Sequence, residues 1–168
     1  PEHPVQKAIL NIFEEVTGET SPGYGIDGCS APNWACTIGG LASAMARCAG
    51  NSSDILGLAS ARLRNAMMAH PDLVAGETRA CTELMDAAPG VALKTGAEAV
   101  FTAIIPSKKM GVAIKIEDGA FRASEAVITA LLIRMGLLNA AHPAAVKRLG
   151  PISNWDGLRT GSISVALN

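Results

Sequence analysis

A lysine followed by threonine and glycine, Lys94-Thr95-Gly96, stands at the start of a β-rich region of the sequence. A serine nucleophile needs a neighbouring group that accepts its proton, and a lysine held rigidly on a strand edge suits that role. The glycine after it lets a substrate carbonyl approach the strand closely. The triplet therefore favours serine–lysine catalysis with Lys94 as the catalytic group. The alternative interpretation is a surface lysine on an edge strand.

The serine partner of such a lysine does not occur in this sequence. Serine–lysine enzymes carry their nucleophile in a Ser-x-x-Lys pattern. None of the serines among the 168 residues has a lysine three positions later. If Lys94 is catalytic, we expect the nucleophile to lie on a segment that this chain lacks.

A glycine- and proline-rich loop, residues 19–35, contains the second group of candidates. Cys29 directly follows Gly28 and comes two residues after Asp27, which lies between the glycines at 25 and 28. A thiolate beside a carboxylate is a candidate metal ligand or nucleophile. A loop cysteine packed in a niche is the alternative, since no histidine is close in sequence to form a dyad.

The other distinctive side chains are explained by packing and capping. Cys81 and Met85 share one helix face, as core residues do. Histidines beside prolines suit helix ends. We expect Cys36 and Cys48 to be small core residues, and Trp34 and Trp155 to be packing anchors.

Apolar residues at helical spacing predict several helices. The first covers residues 4–17 and ends at Gly18, and the third begins at Ser53-Asp54 and ends near His70-Pro71. Along the last long helix we expect a buried side made of Ala126, Val127, Ala130, Leu131 and Met135. The remaining helices are predicted at 41–48, from about 79 to 87, at 123–136 and at 142–149.

Strands are predicted at 91–94, 99–105, 111–117 and 163–167, with residues 106–110 joining the second and third as a hairpin. Helices therefore precede a strand and a hairpin, and a helix and an edge strand follow. This order predicts an α+β fold or a three-layer αβα arrangement, in which helices flank an antiparallel sheet.

Composition excludes several classes of protein. Apolar residues make up 49% and charged residues 17% of the chain, and the net charge is −1. Nothing points to nucleic acid or to a membrane. Four cysteines are too few for a disulfide framework, so a reduced, cytoplasmic setting is expected. The low charge also suits a chain that hides part of its surface against another chain or segment.

Several segments together resemble the C-terminal half of the bacterial L-asparaginase II family, of the rhizobial inducible type. The match runs in the same order over nearly all of the chain. Its segments are Asp27-Gly28-Cys29-Ser30-Ala31-Pro32, Met68-Ala69-His70-Pro71-Asp72-Leu73-Val74-Ala75-Gly76, residues 79–85, Lys94-Thr95-Gly96-Ala97-Glu98 and residues 111–119.

The resemblance implies a fold similar to serine β-lactamases and the hydrolysis of L-asparagine to aspartate and ammonia. It implies two serine–lysine pairs and a zinc ion as cofactor. Lys94 matches the lysine of the second pair, and Cys29 matches a zinc ligand. Asp27 matches the acidic residue beside that ligand, and Cys81 a cysteine lining the substrate pocket. Asp27 and Cys81 are thereby expected among the substrate-binding residues.

The same resemblance makes residues 1–168 one portion of an asparaginase-like domain. The Ser-x-x-Lys portion and the other zinc ligands would come from an N-terminal half, so this chain by itself is expected to be inactive. A homodimer is implied as well. Two alternatives remain open at this point: a non-catalytic ligand-binding or assembly module that keeps the fold, and a penicillin-interacting protein related through Lys-Thr-Gly.

Overall fold

Residues 1–167 are described by a computed structural model. The helices within them are α1 (Pro4–Thr17), α2 (Ile38–Ala49), α3 (Ile55–Ala69), α4 (Pro71–Ala75), α5 (Ala80–Ala87), α6 (Phe121–Arg134) and α7 (Pro143–Leu149). The strands are β1 (Tyr24–Ile26), β2 (Pro32–Trp34), β3 (Ala92–Thr95), β4 (Val100–Ile105), β5 (Met110–Lys115), β6 (Pro151–Ser153) and β7 (Arg159–Ser162).

Side-chain caps set the beginnings of several helices. The hydroxyl of Thr37 accepts a hydrogen bond from the Gly40 amide at the start of α2 (2.9 Å). The Asp54 carboxylate accepts a hydrogen bond from the Gly57 amide at the start of α3 (2.7 Å). His3 and His142 cap α1 and α7 through Nδ1. The predicted capping role of these two histidines is therefore confirmed.

The central sheet has the order β3-β4-β5, and both pairings are antiparallel. Lys94 pairs with Thr102, and Leu93 pairs with Ala103. Because successive residues of a strand point to opposite faces, Lys94 and Thr102 share one face, while Leu93 and Ala103 share the other. The two faces of this sheet are covered very differently.

The face of Leu93 carries the main core. Helices α5, α6 and α7 contribute to the same buried cluster, so the sheet is fully covered here. The largest side chains of the cluster with almost no exposed surface are Leu84, Leu93, Phe101, Ile105, Ile128 and Leu132.

An ion-pair network joins the three helices on this side. Glu83 of α5 contacts Lys147 and Arg148 of α7, each at 2.7 Å. Arg148 is almost fully buried, and its Nε lies 3.6 Å from the carboxylate of Glu125 on α6. Because a buried charge is costly unless it is paired, these contacts fix how α7 docks.

The face of Lys94 packs against α2 and α3. Ala49, Ala92 and Ile104 form a smaller buried cluster there, with partly buried methionines around it. Helix α2 lies so close to β5 that a Cβ built on Gly111 would be 2.2 Å from the Ala42 carbonyl oxygen and from the Ala46 nitrogen. The result is a three-layer αβα arrangement, as predicted from the sequence.

Most predicted elements are present. The helix at 4–17 has the expected bounds, with Gly18 in the left-handed conformation after it. The strand and the hairpin of the central sheet lie within one or two residues of their predicted positions. Helix α2 begins three residues earlier than predicted, because the Thr37 cap lets the two glycines enter the helix.

Other expectations are wrong. Residues 163–167 form no strand; the terminal hairpin is instead β6 with β7, which ends at Ser162. Trp155 is fully exposed and anchors no packing. Cys36 is only partly buried, whereas Cys48, also partly buried, does pack against the smaller core cluster of Ala49, Ala92 and Ile104. Residues 19–35 also contain the β1–β2 hairpin, in which Trp34 packs edge-on against Tyr24.

The buried side of α6 differs in part from the predicted one. Ala126 is buried as expected, but the deepest positions include Ile128, Thr129 and Leu132. Thr129 tolerates burial because its hydroxyl donates to the Glu125 carbonyl at 2.7 Å. The predicted residues Val127, Leu131 and Met135 are partly buried and pack around the core.

No helix found between residues 1 and 167 is long and apolar enough to cross a bilayer.

Replacing Gly111 by alanine is expected to lower the free energy of unfolding by about 1–3 kcal/mol, because the new methyl group overlaps the α2 backbone. Gly25→Ala is the matched control, since a Cβ there meets nothing within 4 Å. Urea unfolding followed by circular dichroism measures both. Equal stability of the two variants would contradict the close packing of α2 on β5.

Candidate active site

Lys94 lies on β3, which is an edge of the central sheet among the described residues. Its side chain is exposed, and Nζ donates a hydrogen bond to the Thr95 carbonyl oxygen at 2.6 Å. An ammonium has three N–H donors, so two are left for a substrate or a proton-transfer partner. The strand holds the lysine where the sequence predicts it.

A cavity of about 440 Å³ opens beside Lys94, between α2, α3 and the central sheet. Its apolar walls are Met45, Cys48, Leu63, Met67, Val74 and Ile104. Its polar lining consists of Ser60, Arg64, Lys94 and Thr102. We call this cavity the Lys94 pocket.

Arg64 is the most deeply buried charged residue of the pocket, with 6% of its surface exposed. Its guanidinium donates to the carbonyl oxygens of Cys48 (2.8 Å) and Gly50 (3.0 Å), at the C-terminal end of α2. Helix C-termini carry partial negative charge, which stabilises a cation there. Arg64 therefore ties α3 to α2 and brings positive charge to the pocket.

Cys81 lies behind Lys94, on the other face of β3. Its side chain is fully buried among the residues of the main core, and its sulfur accepts a hydrogen bond from the Thr95 amide at 3.2 Å. Burial raises the pKa of the Cys81 thiol, although the Thr95 hydrogen bond and the charge of Lys94 oppose the rise. In this position Cys81 supports the strand that carries the lysine.

Asp27 and Cys29 lie together in the loop of the β1–β2 hairpin. Cys29 Sγ is 3.9 Å from Asp27 Oδ2, and Asp27 Oδ1 accepts a hydrogen bond from the Gly28 amide at 2.7 Å. Ser30 completes the turn with a φ of 66°, in the left-handed region. The loop therefore presents a thiol and a carboxylate side by side at the surface.

The hairpin offers only part of a zinc site. A zinc ion in a protein takes three or four ligands from side chains. Within residues 1–167, no group of three His, Cys, Asp or Glu side chains is arranged to hold a metal. The donors present therefore do not make a complete zinc site, and Cys29 as a zinc ligand stays a prediction.

The structure brings the predicted residues together in two pairs. Asp27 lies beside Cys29, and Cys81 contacts the residue next to Lys94. The hairpin loop is not among the residues that line the Lys94 pocket. The substrate-binding roles of Asp27 and Cys81 stay predictions.

Two pocket residues, Ser60 and Arg64, did not stand out in the sequence. They are four residues apart, so they lie on one face of α3. Leu63 and Met67 belong to the same region of the helix and were recognised only as an apolar pattern. The sequence signal that could have identified Arg64 is its position as a charged residue within the apolar pattern of α3.

The sequence profile of the L-asparaginase II family matches residues 1–165. The chain belongs to the L-asparaginase II family. A search of curated protein sequences finds no match to it. Membership supports amide hydrolysis as the general class of activity, in agreement with the resemblance of its motifs.

The cysteines of this chain are expected to differ sharply in reactivity. Cys29 is exposed and Cys81 is fully buried with a raised thiol pKa. Iodoacetamide at pH 8 should therefore modify Cys29 while leaving Cys81 intact until the chain is unfolded. Peptide mass spectrometry measures the order in which the cysteines are modified, with urea-denatured protein as the control. Early modification of Cys81 would contradict its burial.

Proposed function

We propose that this chain supplies the lysine-bearing part of an enzyme that hydrolyses L-asparagine to L-aspartate and ammonia. Family membership supports this proposal, together with the position of Lys94 on an edge strand beside a pocket. The nucleophilic serine would come from a segment outside these 168 residues, since the sequence contains no Ser-x-x-Lys.

The reaction follows the chemistry of a serine acyl-enzyme. The serine Oγ attacks the side-chain amide carbon, a C–O bond forms, and the C–N bond breaks. Lys94, as the neutral amine, accepts the serine proton and passes it to the departing nitrogen, which leaves as ammonia. Water then attacks the ester carbon and releases aspartate and the free serine.

Exposed apolar surface supports the need for a second segment. Ile55, Leu58 and Leu63 of α3 are 89%, 61% and 67% exposed. A groove of about 1000 Å³ lies between α1 and α3, with Ile12 and Val16 on its other wall. Large apolar surfaces of this kind mark interaction sites, and we propose the N-terminal half of the same enzyme as the occupant.

We extend the proposal to the zinc site and to the oligomeric state, on the basis of the family resemblance. Cys29 would provide one thiolate to a zinc site completed by the N-terminal half, with Asp27 orienting a ligand. When bound, zinc would stabilise that assembly or polarise a substrate group. The complete enzyme is expected to be a cytoplasmic homodimer, as the family resemblance implies.

A non-catalytic ligand-binding or assembly module is the second candidate function. The lack of any Ser-x-x-Lys in the sequence favours it. Such a module would bind asparagine or aspartate without turnover, and adding the N-terminal half would produce no ammonia. Ammonia release after the N-terminal half is added therefore distinguishes the two candidates.

Lys94→Met should lower kcat/KM for ammonia release by about 100-fold or more in a mixture of this chain with the N-terminal half, because it removes the proton acceptor. Lys108→Met is the matched control, since Lys108 is exposed and lies outside the pocket. Undiminished activity after Lys94→Met, or no ammonia from a well-folded mixture, would contradict the proposed function.

Cys29→Ser should abolish stoichiometric zinc binding by the same mixture, because it removes a thiolate ligand. Absorbance of the cobalt-substituted protein reports thiolate coordination independently of activity. Cys36→Ser serves as the control. If the Cys29→Ser variant showed the same cobalt–thiolate absorbance as the unsubstituted protein, Cys29 would not be a ligand of the proposed site.

A further inference from the structure

An aspartate is followed by a glycine three times in this chain, at Asp27-Gly28, Asp118-Gly119 and Asp156-Gly157. In such a pair the glycine amide nitrogen can attack the aspartate side chain, because glycine has no Cβ to shield that nitrogen. All three aspartates are exposed, so neither the dipeptide nor its exposure separates the pairs. Their hydrogen bonds do, and we propose that Asp27 is the site at which the folded chain forms isoaspartate. The inference does not depend on the proposed asparaginase activity.

The Asp27 carboxylate and the Gly28 amide are held against each other. Asp27 Oδ1 accepts a hydrogen bond from the Gly28 nitrogen at 2.7 Å. Among the described residues, the Gly28 amide donates to no other acceptor. Because Cγ is bonded directly to Oδ1, the reacting carbon and nitrogen stay close together. Groups that are held in contact react faster than groups that must first find their geometry.

The turn at Asp118 engages the same two groups with other partners. The Gly119 amide donates a hydrogen bond to the Ile116 carbonyl oxygen at 3.1 Å. The Asp118 carboxylate accepts a hydrogen bond from the Ala120 amide at 2.9 Å. Attack by the Gly119 nitrogen would first have to break these two hydrogen bonds, which makes the reaction slower at this pair.

The turn at Asp156 engages its glycine in a similar way. The Gly157 amide donates a hydrogen bond to the Asn154 carbonyl oxygen at 3.0 Å. Gly157 has a φ of 79°, in the left-handed region, whereas the φ of Gly28 lies outside that region. The Gly157 nitrogen therefore becomes available only when its turn opens.

The reaction at Asp27 consumes and returns one water molecule. The Gly28 nitrogen attacks Asp27 Cγ, a C–N bond forms, and one carboxyl oxygen leaves as water with the carboxyl proton and the amide proton. The product is a cyclic imide, a succinimide. Water then opens the ring. Cleavage of the new C–N bond restores aspartate, and cleavage of the original peptide C–N bond gives isoaspartate, whose main chain runs through the side-chain carbons.

Isoaspartate at position 27 would change the hairpin loop that carries Cys29. The Ser30 amide closes this turn with a hydrogen bond to the Asp27 carbonyl oxygen at 2.8 Å. Isoaspartate adds one carbon to the main chain of the turn and shortens the side chain by one carbon. The carboxylate would therefore lose its place beside the Cys29 thiol, which lies 3.9 Å from Oδ2 in the unmodified chain.

Incubation of the folded chain at neutral pH and body temperature tests the inference. Isoaspartate is measured in each peptide after digestion, with isoaspartyl methyltransferase and labelled S-adenosylmethionine as the probe. It should accumulate at position 27 about tenfold faster than at 118 or 156, because only there are the reacting groups held together. In the urea-unfolded chain the three rates should become similar, because the turns that separate the pairs are lost.

Two matched variants identify the attacking nitrogen. Gly28→Ala places a methyl group beside that nitrogen and should slow isoaspartate formation at position 27 by about tenfold. Gly25→Ala, on the same hairpin, should leave the rate unchanged. A Cβ at either position meets nothing within 4 Å, and neither glycine has a positive φ, so both variants are expected to fold.

Equal rates at the three positions in the folded chain would overturn the inference. A preference for position 27 that persists in urea would overturn it too, since the local sequence and not the fold would then decide the rate. Equal rates in Gly28→Ala and Gly25→Ala would exclude the Gly28 nitrogen as the nucleophile. None of these measurements involves asparagine, so their failure is distinct from a failure of the proposed function.

Discussion

The antiparallel pairing of β3 with β4 is the constraint on which the candidate site depends. Its register places Lys94 opposite Thr102 and Leu93 opposite Ala103. A slip of one residue in this register would exchange the two faces and point the lysine side chain into the main core. Burying an unpaired ammonium costs far more than a typical packing change, so the apolar core itself holds Lys94 at the pocket.

The two faces of that sheet are covered by helices to different extents. The face against α5, α6 and α7 is filled, and the Glu83–Arg148 ion pair secures its outermost helix. The face against α2 and α3 has a cavity, and α3 turns large apolar side chains to solvent. This asymmetry supports the proposal that another segment completes the enzyme on the α3 side, where the Lys94 pocket also lies.

Local chemistry made much of the secondary structure predictable. Apolar spacing and a left-handed glycine define α1, and the alternation of β4 and β5 around residues 106–110 defines the hairpin. Residues 163–167 have similar alternation but meet no partner strand in the described structure. Strand formation depends on a partner, and Trp155 likewise lacks a surface to pack against.

The sequence by itself determined the family, the order of helices and strands and the place of Lys94 on a strand, because motifs and periodicity are local properties. That order fitted both an α+β fold and a three-layer αβα arrangement. Only the tertiary structure decided which groups surround that lysine. Arg64 and Ser60 come from a distant helix, and Cys81 packs behind the strand. Which distant residues share a pocket depends on how helices dock on the sheet, and docking depends on the packing of many side chains at once.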